Sequence, residues 1–462
     1  MVALRKFAVP CLSALLLLAA CGRDDAGDPL AEAFDCQSGA WRTEGGEVLV
    51  ITQVSGGLRY RMLDGRTGRL ETNGKVPGDE LSAREGWRED GPPVARARFE
   101  PCTAGRMTFH LQPADAASTA NRIPLARHDT RFRSGELELR GRLVMPAGAA
   151  GPVPLAVLVH GSEDYSAVDH QALQFMLPAR GVATFVYDKR GTGGSSGTYT
   201  QDFHALAGDA AAALAAARRI APGAFSHAGF VGGSQGGWVA PLAAAQTDTD
   251  YTVALYGLAE SALAEDREQV MSELRARGHG EDVLAKAREV TDATALLMSS
   301  GFTRGFDELE AARSRHAGES WLDDVGGEFT GMILGMPGWL PRWVSRAMAA
   351  RHDVGTSWDY EPLPVLAALD VPQLWVIAGS DREAPPAGTL ARIRGLQAQG
   401  RPIDLVVYPD TDHGIYQYIE SDDGERVDLR NPDGYHELLA GWIGTLRLDA
   451  RPPAVAEPRR QM

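Results

Sequence analysis

The stretch Phe230-Val231-Gly232-Gly233-Ser234-Gln235-Gly236-Gly237-Trp238 decides the reading of this chain. Two apolar strand-formers lead into a serine flanked by glycines, and an apolar, helix-compatible segment follows over residues 238–246. A strand that turns at once into a helix leaves no room for β-carbons two residues before and two residues after the apex, and glycine stands at both places. The same turn lifts the Ser234 hydroxyl out of the sheet edge and points the Gln235 amide at the helix start, where an oxyanion is stabilised. A glycine-rich turn whose serine merely caps a helix is the alternative. The strand before it and the helix after it favour a nucleophile.

Outward from this turn the chain alternates strands and helices. Residues 130–133 and 136–144 read as a hairpin through Ser134-Gly135, and residues 154–159 as a parallel strand buried on both faces. A helix over 171–180, a strand over 182–187 and an alanine-rich helix over 202–219 lead up to the central turn. Beyond it come strands at 252–256, 374–378 and 403–408, with helices at 390–400 and 435–446. This order predicts an α/β fold with a doubly wound, mostly parallel sheet over residues 127–258 and 362–448. Residues 259–361 interrupt it. Their first half is charged and helical in period, their second half carries Met332, Met336, Trp339, Trp343 and Met348, and together they predict a helical cap insertion. Short apolar runs punctuated by turn signals over residues 36–125 predict a small all-β N-terminal domain, and residues 449–462 a flexible tail.

A serine nucleophile needs a base, an acid and a second oxyanion donor. His413, in Asp410-Thr411-Asp412-His413-Gly414, follows the strand at 403–408 in a polar loop, where a doubly wound sheet places its chemistry. Asp381, in Gly379-Ser380-Asp381, ends the preceding strand and is the expected acid; Asp410 and Asp412 are rivals too near His413 in sequence to be first choice. The chain order Ser234, Asp381, His413 suits this kind of fold and no chymotrypsin or subtilisin arrangement. His160-Gly161-Ser162 follows a buried strand, which makes the Ser162 amide the expected second donor and His160 a structural histidine. The glycine-rich run Tyr187 to Gly197 lacks the marks of a P-loop or dinucleotide site, and no histidine or cysteine shows metal-ligand spacing, so neither cofactor nor metal is expected.

Together, His160-Gly161, Asp188-x-Arg190-Gly191-x-Gly193-x-Ser195, Gly232-x-Ser234-x-Gly236, Gly379-x-Asp381 and Asp412-His413-Gly414 resemble the α/β-hydrolase superfamily, over about residues 127–448. The likeness is to its bacterial esterase and serine-aminopeptidase-like branch. It implies that the Asp188–Arg190 segment is structural, and that the 259–361 insertion is a cap whose Trp and Met residues line an acyl or leaving-group pocket.

The N-terminus adds an address. Arg5 and Lys6 precede a short apolar run, so residues 1–20 read as a signal peptide and 21–35 as a tether. Leu18-Ala19-Ala20-Cys21 resembles a bacterial lipobox, which implies acylation of Cys21 and a membrane tether; an ordinary cleavage site is the alternative. Cys36 and Cys102 then remain, and export suggests that they form one disulfide rather than two free thiols. A net charge of −15 argues against a nucleic-acid partner. The sequence thus predicts an exported or envelope-anchored serine hydrolase acting on a small-molecule ester. An aminopeptidase-like serine peptidase is the second reading, and a non-catalytic envelope binding protein the third.

Overall fold

The computed structural model describes residues 34–71, 80–114, 116–337, 339–422 and 424–448, together with the backbone of 455–457. The expected signal peptide, Cys21 and nearly all of the tether lie outside the described residues.

Eight antiparallel strands close a barrel in sequence order: β1 (Gly39–Thr43), β2 (Val48–Val54), β3 (Gly57–Met62), β4 (Thr67–Glu71), β5 (Leu81–Ala83), β6 (Ala95–Phe99), β7 (Arg106–Leu111) and β8 (Ser118–Arg122). β8 pairs back onto β1, so no edge is left open. Inside lie Trp41, Leu49, Ile51, Leu58, Tyr60, Leu70, Met107 and Phe109. The continuous apolar run Val48-Leu49-Val50-Ile51 of β2 has a specific cause: alternate residues face two different cores. Leu49 and Ile51 fill the barrel, whereas Val48 and Val50 pack outside it against Val144, Ala172, Phe175 and Met176. A Cys36–Cys102 disulfide ties the segment before β1 to the β6–β7 connection across 66 residues.

The second sheet contains β9 at Leu125–Ser134, β10 at Leu137–Pro146, β11 at Val153–Val159, β12 at Ala183–Tyr187, β13 at Phe225–Gly233, β14 at Tyr251–Leu255, β15 at Gln373–Ala378, β16 at Ile403–Tyr408 and β17 at Val455–Glu457, in the order β17-β16-β15-β14-β13-β11-β12-β10-β9. Strands β11 to β16 are parallel; β9, β10 and β17 run antiparallel at the margins. Asp202 caps the helix Phe203–Ile220 by accepting from the His204 and Ala205 amides, and the helix's Phe203, Leu206, Ala210, Ala213 and Leu214 join the main core. The helix Gly236–Ala244 is buried at every residue. The helix expected at 171–180 is instead broken into Ala167–His170, Leu173–Met176 and the turn Pro178–Arg180. Side chains compete for its backbone: the Gln171 carbonyl accepts from Gln174 Nε2, Gln171 Oε1 accepts the Leu173 amide, Gln171 is extended, and Pro178 has no N–H to donate.

Residues 266–353 form a separate compact unit. Its helices are Glu281–Ser299, Phe306–Arg315, Glu328–Leu334 and Arg342–His352, and the helix Ala262–Ala276 enters it. Asp266 caps the helix Glu328–Leu334 through the Phe329 and Thr330 amides at 2.8 and 3.1 Å and the Thr330 hydroxyl at 2.6 Å. Trp339 and Trp343 are 80% and 74% exposed, with Met332 and Met348 also exposed.

The disulfide closes a long loop, so exchanging Cys36 and Cys102 for alanine is expected to cost about 2–4 kcal/mol. Thermal denaturation of the double variant against the parent checks this, and unchanged melting would remove the bridge from the barrel's stability.

Candidate active site

The sheet register brings the candidate residues to one edge. Val159 pairs with Gly232, Gly233 with Leu255, Leu255 with Val376, and Ala378 with Tyr408. The carboxyl ends of β11, β13, β14, β15 and β16 therefore finish side by side, and Ser162, Ser234, Tyr256, Asp381 and His413 all follow within a few residues.

Ser234 adopts φ 52°, the left-handed conformation that a side chain enters only under constraint. Its amide donates to the Leu255 carbonyl at 3.0 Å, which anchors the turn to the neighbouring strand. A β-carbon at Gly232 would stand 2.0 Å from the Gly236 carbonyl oxygen, and one at Gly236 would stand 2.5 Å from that of Val159. Close approach therefore explains both glycines of the motif.

His413 and Asp381 meet directly: Nδ1 lies 2.9 Å from Oδ2 of the buried carboxylate. Asp381 Oδ1 accepts the Ala384 amide at 2.8 Å, so the carboxylate is held at both oxygens. Burial pulls the imidazole down, but the hydrogen bond and charge of Asp381, followed by the charges of Glu383 and Asp412, override it and hold His413 at about 9. Asp412, the rival acid, is engaged elsewhere, accepting from the Arg382 and His413 amides and pairing with Arg426 at 2.7 Å. Exposed Glu383 stands 3.6 Å from His413 Nε2, a neighbour that no pattern in the sequence announced. Tyr256 lies between His413 and Gly233, the residue before Ser234: its ring is edge-on to the imidazole at 4.9 Å, and its hydroxyl would be 2.5 Å from a β-carbon at Gly233.

Across from the base, a β-carbon at Gly161 would be 3.3 Å from that of Ser234, so the His160-Gly161-Ser162 loop lies against the serine. His160 is buried, and burial, with Lys189 second, pushes it down to about 3. The neutral ring accepts the Lys189 amide at Nε2, 3.2 Å away. Asp188 accepts from the Ser166 hydroxyl and from the Val168 and Gly194 amides, while Arg190 grips Asp209 through two bonds of 2.7 and 2.8 Å. Both residues bind the scaffold.

The barrel reaches this edge. Asn431 donates its amide to the Gly65 carbonyl of the barrel and its side chain to the carbonyls of Gly414 and Ile415, directly after His413. Trp87 carries Arg59 over its ring at 4.0 Å and meets Tyr416 edge-on at 4.5 Å. Between barrel and sheet lies a cavity of about 200 Å³, lined by Arg61, Gly161, Glu163, Tyr165, Gly233 and Tyr256 among others. Among the described residues no cluster of His, Cys, Asp or Glu could hold a metal ion, and no helix is long and apolar enough to cross a membrane.

The sequence profile of the alpha/beta hydrolase family matches residues 156–428, more than half of the chain, and the chain belongs to that family. No curated protein matches it. Among solved structures it is similar to an esterase of Pyrococcus furiosus, with 14% identity and a TM-score of 0.39, covering 63% of this chain and 84% of that one. An acylaminoacyl peptidase of Pyrococcus horikoshii is similar at 14% identity and a TM-score of 0.40, over 83% of this chain and 53% of the other. Est1E of Butyrivibrio proteoclasticus, solved with ferulic acid, shares 17% identity at a TM-score of 0.38, over 69% and 97%.

Neutralising Glu383 removes one of the charges that raise His413, so in Glu383→Gln the imidazole is expected to titrate at lower pH. Side-chain NMR of His413 reads the midpoint, and an unmoved midpoint would show that the two groups are uncoupled.

Proposed function

We propose that this α/β hydrolase is an exported serine hydrolase, a carboxylesterase acting on esters of short acyl groups. The observation that carries the reading is the 2.9 Å His413–Asp381 hydrogen bond, made at the sheet edge where Ser234 stands in a left-handed turn. Because a carboxylate only accepts, Nδ1 keeps its proton, and Nε2 becomes the basic nitrogen once the ring, held at about 9, has given up its second proton. Ser234 Oγ attacks the ester carbonyl as His413 Nε2 takes its proton; Asp381 stabilises the imidazolium; the amides of Gln235 and Ser162 hold the oxyanion. The imidazolium then protonates the departing alcohol, and water, deprotonated by the same nitrogen, releases the acid from Ser234.

The cavity of about 200 Å³ lined by Gly161, Gly233 and Tyr256, all neighbours of Ser234, is the proposed place for a short acyl group. Export is supported by the disulfide, with Cys21 as the proposed lipid anchor, and the substrate is a small molecule. One feature favours the aminopeptidase-like alternative. Glu163 Oε2 is buried without a hydrogen-bond partner beside Gly161, and a substrate ammonium would satisfy it. The acids Glu260 and Asp266 offer no such site, being engaged with Arg392 and with the cap of the helix Glu328–Leu334.

A fluorophosphonate probe is expected to label the folded protein at Ser234 and to leave Ser234→Ala unlabelled, with ester turnover in that variant reduced by about 10⁴-fold or more. Absence of labelling in the folded parent would overturn the serine mechanism in favour of a binding protein. Across p-nitrophenyl esters, acetate and butyrate are expected to exceed octanoate. Turnover confined to aminoacyl anilides would instead select the peptidase.

A further inference from the structure

The proposed mechanism leaves one costly group without a task. Lys189 is 2% exposed, and among the described residues it makes no ion pair. Burial pulls its ammonium down to about 8, with Glu163 and Asp164 raising it only from a distance. A buried, unpaired ammonium destabilises a fold, and an apolar side chain of similar length would occupy the space at lower cost. What Lys189 does touch is the loop beside Ser234. Its Nζ donates to the Gly161 carbonyl at 2.7 Å, and its main-chain amide donates to His160 Nε2. The ammonium also lies 4.7 Å over the ring of Tyr199, whose hydroxyl donates to the Ser162 carbonyl. Three successive residues of the loop are thus held by two side chains and one amide, all from residues 189 and 199.

The consequence follows from the peptide bond. The Gly161 carbonyl and the Ser162 N–H belong to one planar trans unit, and in such a unit they point in opposite directions. Fixing the carbonyl on Lys189 fixes the N–H on the other side. Donation to the carbonyl also draws electron density from the amide and makes its N–H a stronger donor. We propose that Lys189, seconded by Tyr199, is the positioning residue of the oxyanion hole, orienting and polarising the Ser162 amide for the charge that develops in acyl transfer. This rests on the serine-hydrolase reading above and adds to it a role for the residue inside the Asp188-x-Arg190 segment. Lys189 touches no reacting atom, and its amine donates to Gly161 in either protonation state.

The test uses the full chain with p-nitrophenyl butyrate and a trifluoromethyl ketone of matching acyl length, which forms a tetrahedral adduct. Lys189→Met is expected to lower kcat by about 10- to 100-fold with KM within about twofold, since the amide acts on the transition state and not on bound substrate. The ketone's affinity should fall by the same factor as kcat/KM. Tyr199→Phe should lower kcat by about threefold to tenfold, one hydrogen bond's worth, and it keeps the test alive if Lys189→Met does not fold. Folded variants with unchanged kcat and ketone affinity would overturn the clamp while leaving the serine mechanism intact. A parent protein that neither turns over the ester nor reacts with fluorophosphonate would overturn both.

Discussion

The site depends on one constrained residue. Ser234 sits in a backbone conformation that costs a non-glycine residue about 1–2 kcal/mol. It stays there because its amide is bound to Leu255 on the neighbouring strand and because strand and helix approach too closely at Gly232 and Gly236 for any β-carbon. Strain of this kind persists only where the surroundings over-determine it. Here they do so twice, through the β13–β14 register on one side and through Val159 at the end of β11 on the other. Those same strand ends launch the His160–Ser162 loop and Tyr256, so the strained turn and its partners are set by a single registration of strands.

The histidine side is less local. Asp381 holds the ring, but the loop after His413 passes through Ile415 at φ 60°, a strained position for a β-branched side chain. Asn431 spans the Gly414 and Ile415 carbonyls and is itself bound to the barrel at Gly65, where a β-carbon would meet the Asn431 carbonyl oxygen at 1.9 Å. His436, kept neutral by burial at about 4, donates to the barrel's Leu63 carbonyl. The barrel is thereby part of the scaffold behind the imidazole, more than an appendage at the front of the chain.

Much of this was legible in residues alone. The alternation of buried strands with helices identified the sheet, because parallel strands covered on both faces are continuously apolar. The glycine spacing identified the turn at Ser234, because the steric requirement lies within six residues. That Asp381 and His413 come together could be expected from strand order, since loops beyond carboxyl ends converge in such a sheet. Glu383, Tyr256, Lys189 and Asn431 could not be named. Each acts through a partner distant in sequence, and each is an ordinary residue in its own neighbourhood.

By itself, then, the sequence determined what local sterics and periodicity can encode: the α/β alternation, the β character of the first domain, the sharp turn and its serine. Tertiary structure alone decided that the β domain closes as a barrel, because closure depends on β8 meeting β1 some eighty residues away. It also decided that one face of β2 belongs to a second core, that His413 is raised rather than lowered, and that Lys189 is buried against a carbonyl and not a carboxylate. Those outcomes are set by which groups share a small volume once water has left it, and distance along the chain carries no record of that.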